Sequence, residues 1–143
     1  MSFKSAIPCA ALVLASNILV NSATADTVVV VSSESTITSL SSIQVTDIFL
    51  GKVTRFPGGA PAVPIDQAEG SPGREEFYVS YAGKSSAQIK SYWAKIIFTG
   101  RGQPPKAVAN SIEVRKLLAA NPQAIGYIER SAVDSTVRIV VLP

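Results

Sequence analysis

Apolar residues along this chain recur with two different periods. Thr27-Val-Val-Val-Val31 is an unbroken β-branched run, the mark of a strand covered on both faces. Ser32, Ser33 and Ser35 close it in a loop. Ser41 and Gln44 stand at capping-box spacing, and Leu40 and Val45 are placed as a hydrophobic staple, so a helix begins there. Val45, Ile48 and Phe49 form its buried stripe, and Gly51 sits where a C-terminal glycine belongs. Turn chemistry at Phe56-Pro-Gly-Gly59 leads into a second strand, Ala62 to Ile65, which the chain leaves at Asp66. Gln67 to Gly70 reads as a loop.

Ser71-Pro72 starts the next helix, because serine caps and proline suits the first helical position. Glu75 and Glu76 fall in its first turn, Phe77 and Tyr81 lie one above the other, and Gly83 ends it. A second capping box, Ser85 and Gln88, opens the most clearly amphipathic stretch, with Ile89, Tyr92, Trp93, Ile96 and Ile97 at helical spacing. Gly100 stops it before the loop Arg101-Gly-Gln-Pro-Pro105. Asn110 and Glu113 cap a helix through Leu118, terminated by Asn121-Pro122. Ala124 to Glu129 and Thr136 to Leu142 read as the last strands. The order β-α-β-α-α-α-β-β predicts an α/β three-layer sandwich around a mostly parallel mixed sheet with at least one antiparallel strand.

Residues 1–25 stand apart. Lys4 gives a basic start, an apolar stretch follows from Ala6 to Val20, and Ala23-Thr24-Ala25 is a small-x-small cleavage signal. A secretory signal peptide is expected, with residues 26–143 as one exported, periplasmic domain. The single cysteine, Cys9, lies in the signal, so the processed chain relies on its hydrophobic core rather than on disulfides.

Composition narrows the chemistry. With no histidine there is no Ser-His-Asp triad, no Cys-His nucleophile and no imidazole shuttle, and zinc loses its commonest ligand. A net charge of +3 without a basic run gives no support for nucleic acid. No GxxxxGK[ST] or GxGxxG cradle is present. Adjacent Glu75 and Glu76 point about 100° apart on a helix and cannot flank one bond. Asp66 with Glu69 is too sparse a set for a metal site. No cofactor and no enzymatic activity are expected, and a hydrolase is the least supported class.

The segment from Asp66 to Arg74 carries the most information. A strand ends, Gly70 turns the chain, and a helix starts at Ser71, the arrangement in which open α/β sheets bind ligands and helix N-termini bind anions. Ser71 offers a hydroxyl, Gly73 a close backbone approach, and Arg74 a bidentate fork for a tetrahedral oxyanion. The competing reading is that Ser71 only caps the helix and Arg74 pairs with a nearby carboxylate.

The string Asp47-Ile-Phe-Leu-Gly-Lys52 resembles a signature of phosphate-type periplasmic substrate-binding proteins of ABC transporters. Glu69-Gly-Ser-Pro-Gly-Arg74 with Phe77, then Tyr92-Trp93, Pro104-Pro105 and Pro122-Gln-Ala-Ile-Gly-Tyr127, resemble that family's later landmarks in family order. The resemblance implies a type II periplasmic-binding fold and phosphate as ligand. Ser71 stands at the family's phosphate-binding serine, Gly73 at its threonine, Pro72 at a glycine, and Arg74 at an arginine that many members carry. The chain is similar to one lobe of a two-lobed clamp, which implies weak binding by the monomer or a second chain completing the site.

Two function classes follow. One is a solute-binding module for inorganic phosphate or a similar oxyanion, related to phosphate transport. The other is an interaction module that keeps the fold without a tight ligand, docking on a membrane transport complex or another partner through the loop from Arg101 to Lys106.

Overall fold

A computed structural model describes residues 26–140. Five strands and four α-helices follow in the order β1 (Thr27–Ser32), α1 (Ser42–Phe49), β2 (Val63–Gln67), α2 (Pro72–Phe77), α3 (Ser86–Phe98), β3 (Lys106–Val108), α4 (Ser111–Ala120), β4 (Ala124–Glu129) and β5 (Val137–Ile139). A π-helical turn, Tyr78–Ala82, prolongs α2, and a 3-10 turn, Arg130–Ala132, follows β4.

The strands join in the order β3-β2-β4-β1-β5. β2 runs parallel to β3 and β4, while β1 is antiparallel to both β4 and β5. Four strands therefore share one direction and β1 alone opposes them, so the expected mixed sheet is observed. β1 sits between two neighbours and is buried along Val28–Ser32, which is why its sequence is a continuous apolar run rather than an alternating one.

Alternation within the strands separates two cores. Val29, Val31, Ile125 and Tyr127 face α1, the turn after α2, and α3. Val28, Val30, Ile65, Ala124 and Ile128 face Val114 and Leu118 of α4. On the first face Phe77 stacks flat on Tyr127, ring centroids 4.1 Å apart and 5° between planes, and Phe49 meets Phe77 edge-on. On the second, Gly126 lets α4 approach closely, since a Cβ there would stand 2.5 Å from Cγ1 of Val114.

Both capping boxes form, at Ser41 with Gln44 and at Ser85 with Gln88. The buried residues of α1 are Val45, Ile48 and Phe49. Other elements depart from the sequence expectation. β3 follows the expected loop Arg101–Pro105, in a stretch whose pattern predicts no strand, and its three residues are exposed or half-buried. β2 runs two residues further, so Asp66 and Gln67 are buried strand residues rather than loop. In α3 only Ile89 and Trp93 are buried, Tyr92 and Ile96 are half-buried and Ile97 is exposed, so the packed stripe is narrower than five apolar positions suggest. The last strand is confined to Val137–Ile139, although Val140 still donates to Val29. The expected signal peptide and the distal end of the last strand lie outside the described residues.

Candidate functional site

β2, β3 and β4 run in the same direction, so their carboxyl ends meet at one edge of the sheet. There the N-terminal ends of α2 and α4 face each other across a groove of about 620 Å³. Gln67, Ser71, Gly73, Ser111, Arg115 and Glu129 are among its lining residues.

Each of these is placed by local rules. Ser71 is the N-cap of α2: its hydroxyl accepts from the Arg74 N–H at 3.3 Å, and Pro72 takes the first helical position. The same hydroxyl donates to Oε1 of Gln67 at 2.8 Å. Gly73 is buried beneath that amide, and a Cβ would stand 3.3 Å from Gln67 Oε1. Across the groove Asn110 caps α4 by accepting from Glu113 N at 3.1 Å. The first N–H groups of α4, at Ser111 and Ile112, have no helical acceptor. The Ser111 hydroxyl accepts from the Glu129 N–H at 3.2 Å and ties α4 to the end of β4.

Sequence reasoning placed Ser71, Gly73 and Arg74 together. The structure puts Ser71 and Gly73 in the groove lining, whereas Arg74 is not among the lining residues and its guanidinium turns to Asp66. Its Nε lies 3.6 Å from Oδ1 of buried Asp66, and its guanidinium carbon lies 5.3 Å from the Tyr78 ring centre. Asp66 also accepts from the hydroxyls of Tyr127 and Tyr78 and from the Gln67 N–H. Burial, reinforced by the Asp66 charge and hydrogen bond, pushes both phenols well above the usual tyrosine range.

Gln67, Ser111, Arg115 and Glu129 line the groove without being marked as site residues in the sequence. Gln67 looks like the start of a loop, yet its buried amide links Ser71 to the Tyr127 carbonyl, donating over 2.9 Å. Arg115 faces the groove while held at 3.2 Å from Asp134 and 2.7 Å from the Ala132 carbonyl. Glu129 is the rim carboxylate. Only the end of a parallel strand marks such positions in advance. No group of three or more metal-binding side chains occurs among the described residues.

Arg101 and Lys106 flank a different region. Arg101 and Lys95 line a cavity of about 710 Å³ with Tyr92 and Trp93, which shares no lining residue with the groove.

No family model matches this chain, and no curated protein matches it. Among solved structures it is similar to a phosphate ABC transporter substrate-binding protein with bound phosphate from Clostridium perfringens, at 25% identity and a TM-score of 0.65, over 82% of this chain and 44% of that one. An ABC-type phosphate transport receptor from Vibrio cholerae matches at 18% identity and 0.65, over 82% and 46%. PstS from Borrelia burgdorferi matches at 21% and 0.54, over 82% and 47%. The chain thus spans less than half the length of these proteins and has the fold of one of their lobes.

Proposed function

We propose that this chain is an exported solute-binding-like protein that holds phosphate or a similar oxyanion in the groove between Ser71 and Ser111, as a component related to phosphate ABC transport. One observation carries the reading. The groove lies at the carboxyl ends of β2, β3 and β4, with Ser71 and Gly73 in its wall, in a fold shared with a phosphate-bound protein. The oxyanion takes the Ser71 hydroxyl proton, now spent on Gln67, and the N–H groups of Gly73, Ser111 and Ile112. Arg115 supplies fixed positive charge. Arg74 joins by exchanging Asp66 for the oxyanion, which leaves Asp66 held by Tyr78, Tyr127 and the Gln67 N–H.

The role is binding rather than catalysis, since the groove hydroxyl of Ser71 donates to an amide oxygen and not to a base. An open groove leaves the anion screened by water and salt, so a lone chain binds weakly, and a second chain or a membrane transport complex would close the site. The expected route to this role is export to the periplasm with removal of residues 1–25.

Thermal unfolding across a phosphate titration, with sulfate and chloride at matched ionic strength, tests the reading. A ligand of the native state adds RT ln(1 + [L]/Kd), about 2.7 kcal/mol at a hundredfold excess. A saturating shift with phosphate, weakened in Arg74→Ala, supports the site. Equal and non-saturating shifts with all three salts discard it. They would favour instead an interaction module that keeps the fold without a tight ligand, the reading favoured by Arg74 being committed to Asp66.

A further inference from the structure

From Phe77 to Ile112 the chain carries five cations, Lys84, Lys90, Lys95, Arg101 and Lys106, and no carboxylate. This stretch builds the π turn, α3, the following loop and β3, and all the charges it contributes are positive. Carboxylates reach it from other elements: Glu69 lies 3.8 Å from Lys90 with both side chains exposed, and the charges of Asp47 and Asp26 bear on the Tyr92 and Tyr81 hydroxyls. Among the described residues Lys95, Arg101 and Lys106 enter no ion pair. They are gathered in space: Lys95 and Arg101 line one cavity, and Lys106 lines the adjoining one, with Trp93 and Gln103 common to both.

The same flank ends in an unpacked apolar tip. Ile97 is 51% exposed and Phe98, the last residue of α3, is 93% exposed. Phe98 follows Lys95 by three positions, which puts the two on one face of the helix. An exposed phenylalanine at a helix end, beside cations that enter no ion pair among the described residues, is complementary to a surface that is both apolar and anionic.

We infer that the C-terminal end of α3, with the loop to Lys106, docks on an anionic lipid surface. Phe98 and Ile97 enter the boundary between headgroups and acyl chains, and Lys95, Arg101 and Lys106 take the lipid phosphates. Charge complementarity selects this occupant over a second copy of the chain, which would bring the same cations to the contact. An apolar tip of two side chains suits it better than a protein partner. A stable protein interface covers about 800 Å² on each side, whereas a bilayer is held by a small apolar anchor and a few charges. No helix among the described residues is long and apolar enough to cross a membrane, so the contact lies along the surface.

Co-sedimentation of the full chain with vesicles tests this, comparing phosphatidylcholine alone with an equal mixture of phosphatidylcholine and phosphatidylglycerol. The N-terminal apolar stretch is present in every sample, so the readout is the ratio between vesicle types and between variants. Binding to the mixed vesicles is expected to exceed binding to the neutral ones by about tenfold at low salt, and to collapse as salt rises. Lys95→Gln with Arg101→Gln should lose about tenfold on mixed vesicles. Phe98→Ser, at a site that packs against nothing, should lose about tenfold as well. Equal partition into both vesicle types, or unchanged binding by either variant, overturns the inference. So does binding of soluble polyglutamate as tight as that of mixed vesicles and indifferent to Phe98, which would identify an acidic macromolecule instead.

Discussion

The Tyr78 hydroxyl donates to Oδ2 of Asp66 across 2.6 Å, beneath a sheet edge where the other carboxylate oxygen takes the Tyr127 hydroxyl. Both phenols are buried against a negative charge and hold their protons past the ordinary value of 10.0. Their stabilisation is therefore complete below that pH. Above it the unfolded chain releases protons that the folded chain keeps, and stability falls.

Urea unfolding between about pH 9 and 11 should show that fall, by up to about 1.4 kcal/mol per pH unit for each tyrosine. Tyr78→Phe should make the slope shallower and cost about 1–3 kcal/mol at neutral pH, where a buried carboxylate loses a donor. A slope identical to that of the parent chain would sink the assignment.

Gly126→Ala should destabilise the chain by about 1–3 kcal/mol, because the new methyl meets Val114 at 2.5 Å and Leu118 at 3.2 Å. Adding Val114→Ala should return part of that loss despite removing core volume. Denaturant midpoints of the two single variants and the double variant measure the coupling.

Ser71→Ala removes the cap of α2 and the donor to Gln67 together. An unfolding midpoint taken without phosphate should report a loss of about 0.5–2 kcal/mol, the usual cost of an N-cap. On the proposed function, phosphate affinity should drop as well, and the two losses are measured separately.

Glu129 places a carboxylate on the rim of the proposed oxyanion groove. Glu129→Gln should tighten phosphate up to about fivefold at low salt, the scale of an exposed charge interaction, and the gain should vanish at high salt. Unchanged or weaker binding by calorimetry would show that the anion does not sit beside Glu129.

Elements with local causes were legible in the sequence. The capping boxes at Ser41 and Ser85 and the Asn110 cap each need only residues three apart, and all three form. The continuous valines of β1 predicted a strand covered on both sides, which a central position in the sheet requires. β3 had no such signature. Lys106–Val108 is a short edge strand whose structure comes from pairing with Ile65–Gln67, not from its own pattern.

The site divides along the same line. Ser71 and Gly73 could be placed at a strand-to-helix turn from spacing alone. The direction of Arg74 could not, because its partner Asp66 is fixed in turn by Tyr127, 61 residues away from it. Arg115 and Glu129 reach the groove only once α4 and β4 have packed, and nothing in their own neighbourhoods marks them.

The reversed direction of β1 bears on how the chain reaches this state. Both of its neighbours come from the far end of the sequence: Thr27 pairs with Glu129, and Val30 with Ile139. A ribosome makes this interior strand first and its partners last. Throughout synthesis Val28–Val31 has no strand to pair with, and a chain halted before β4 exposes the most apolar ribbon in the fold. Closure of β1 between β4 and β5 spans nearly the whole sequence and is expected to be the slow step of folding. On the proposed export, an unfolded chain awaiting that step is also one that a transport channel can thread.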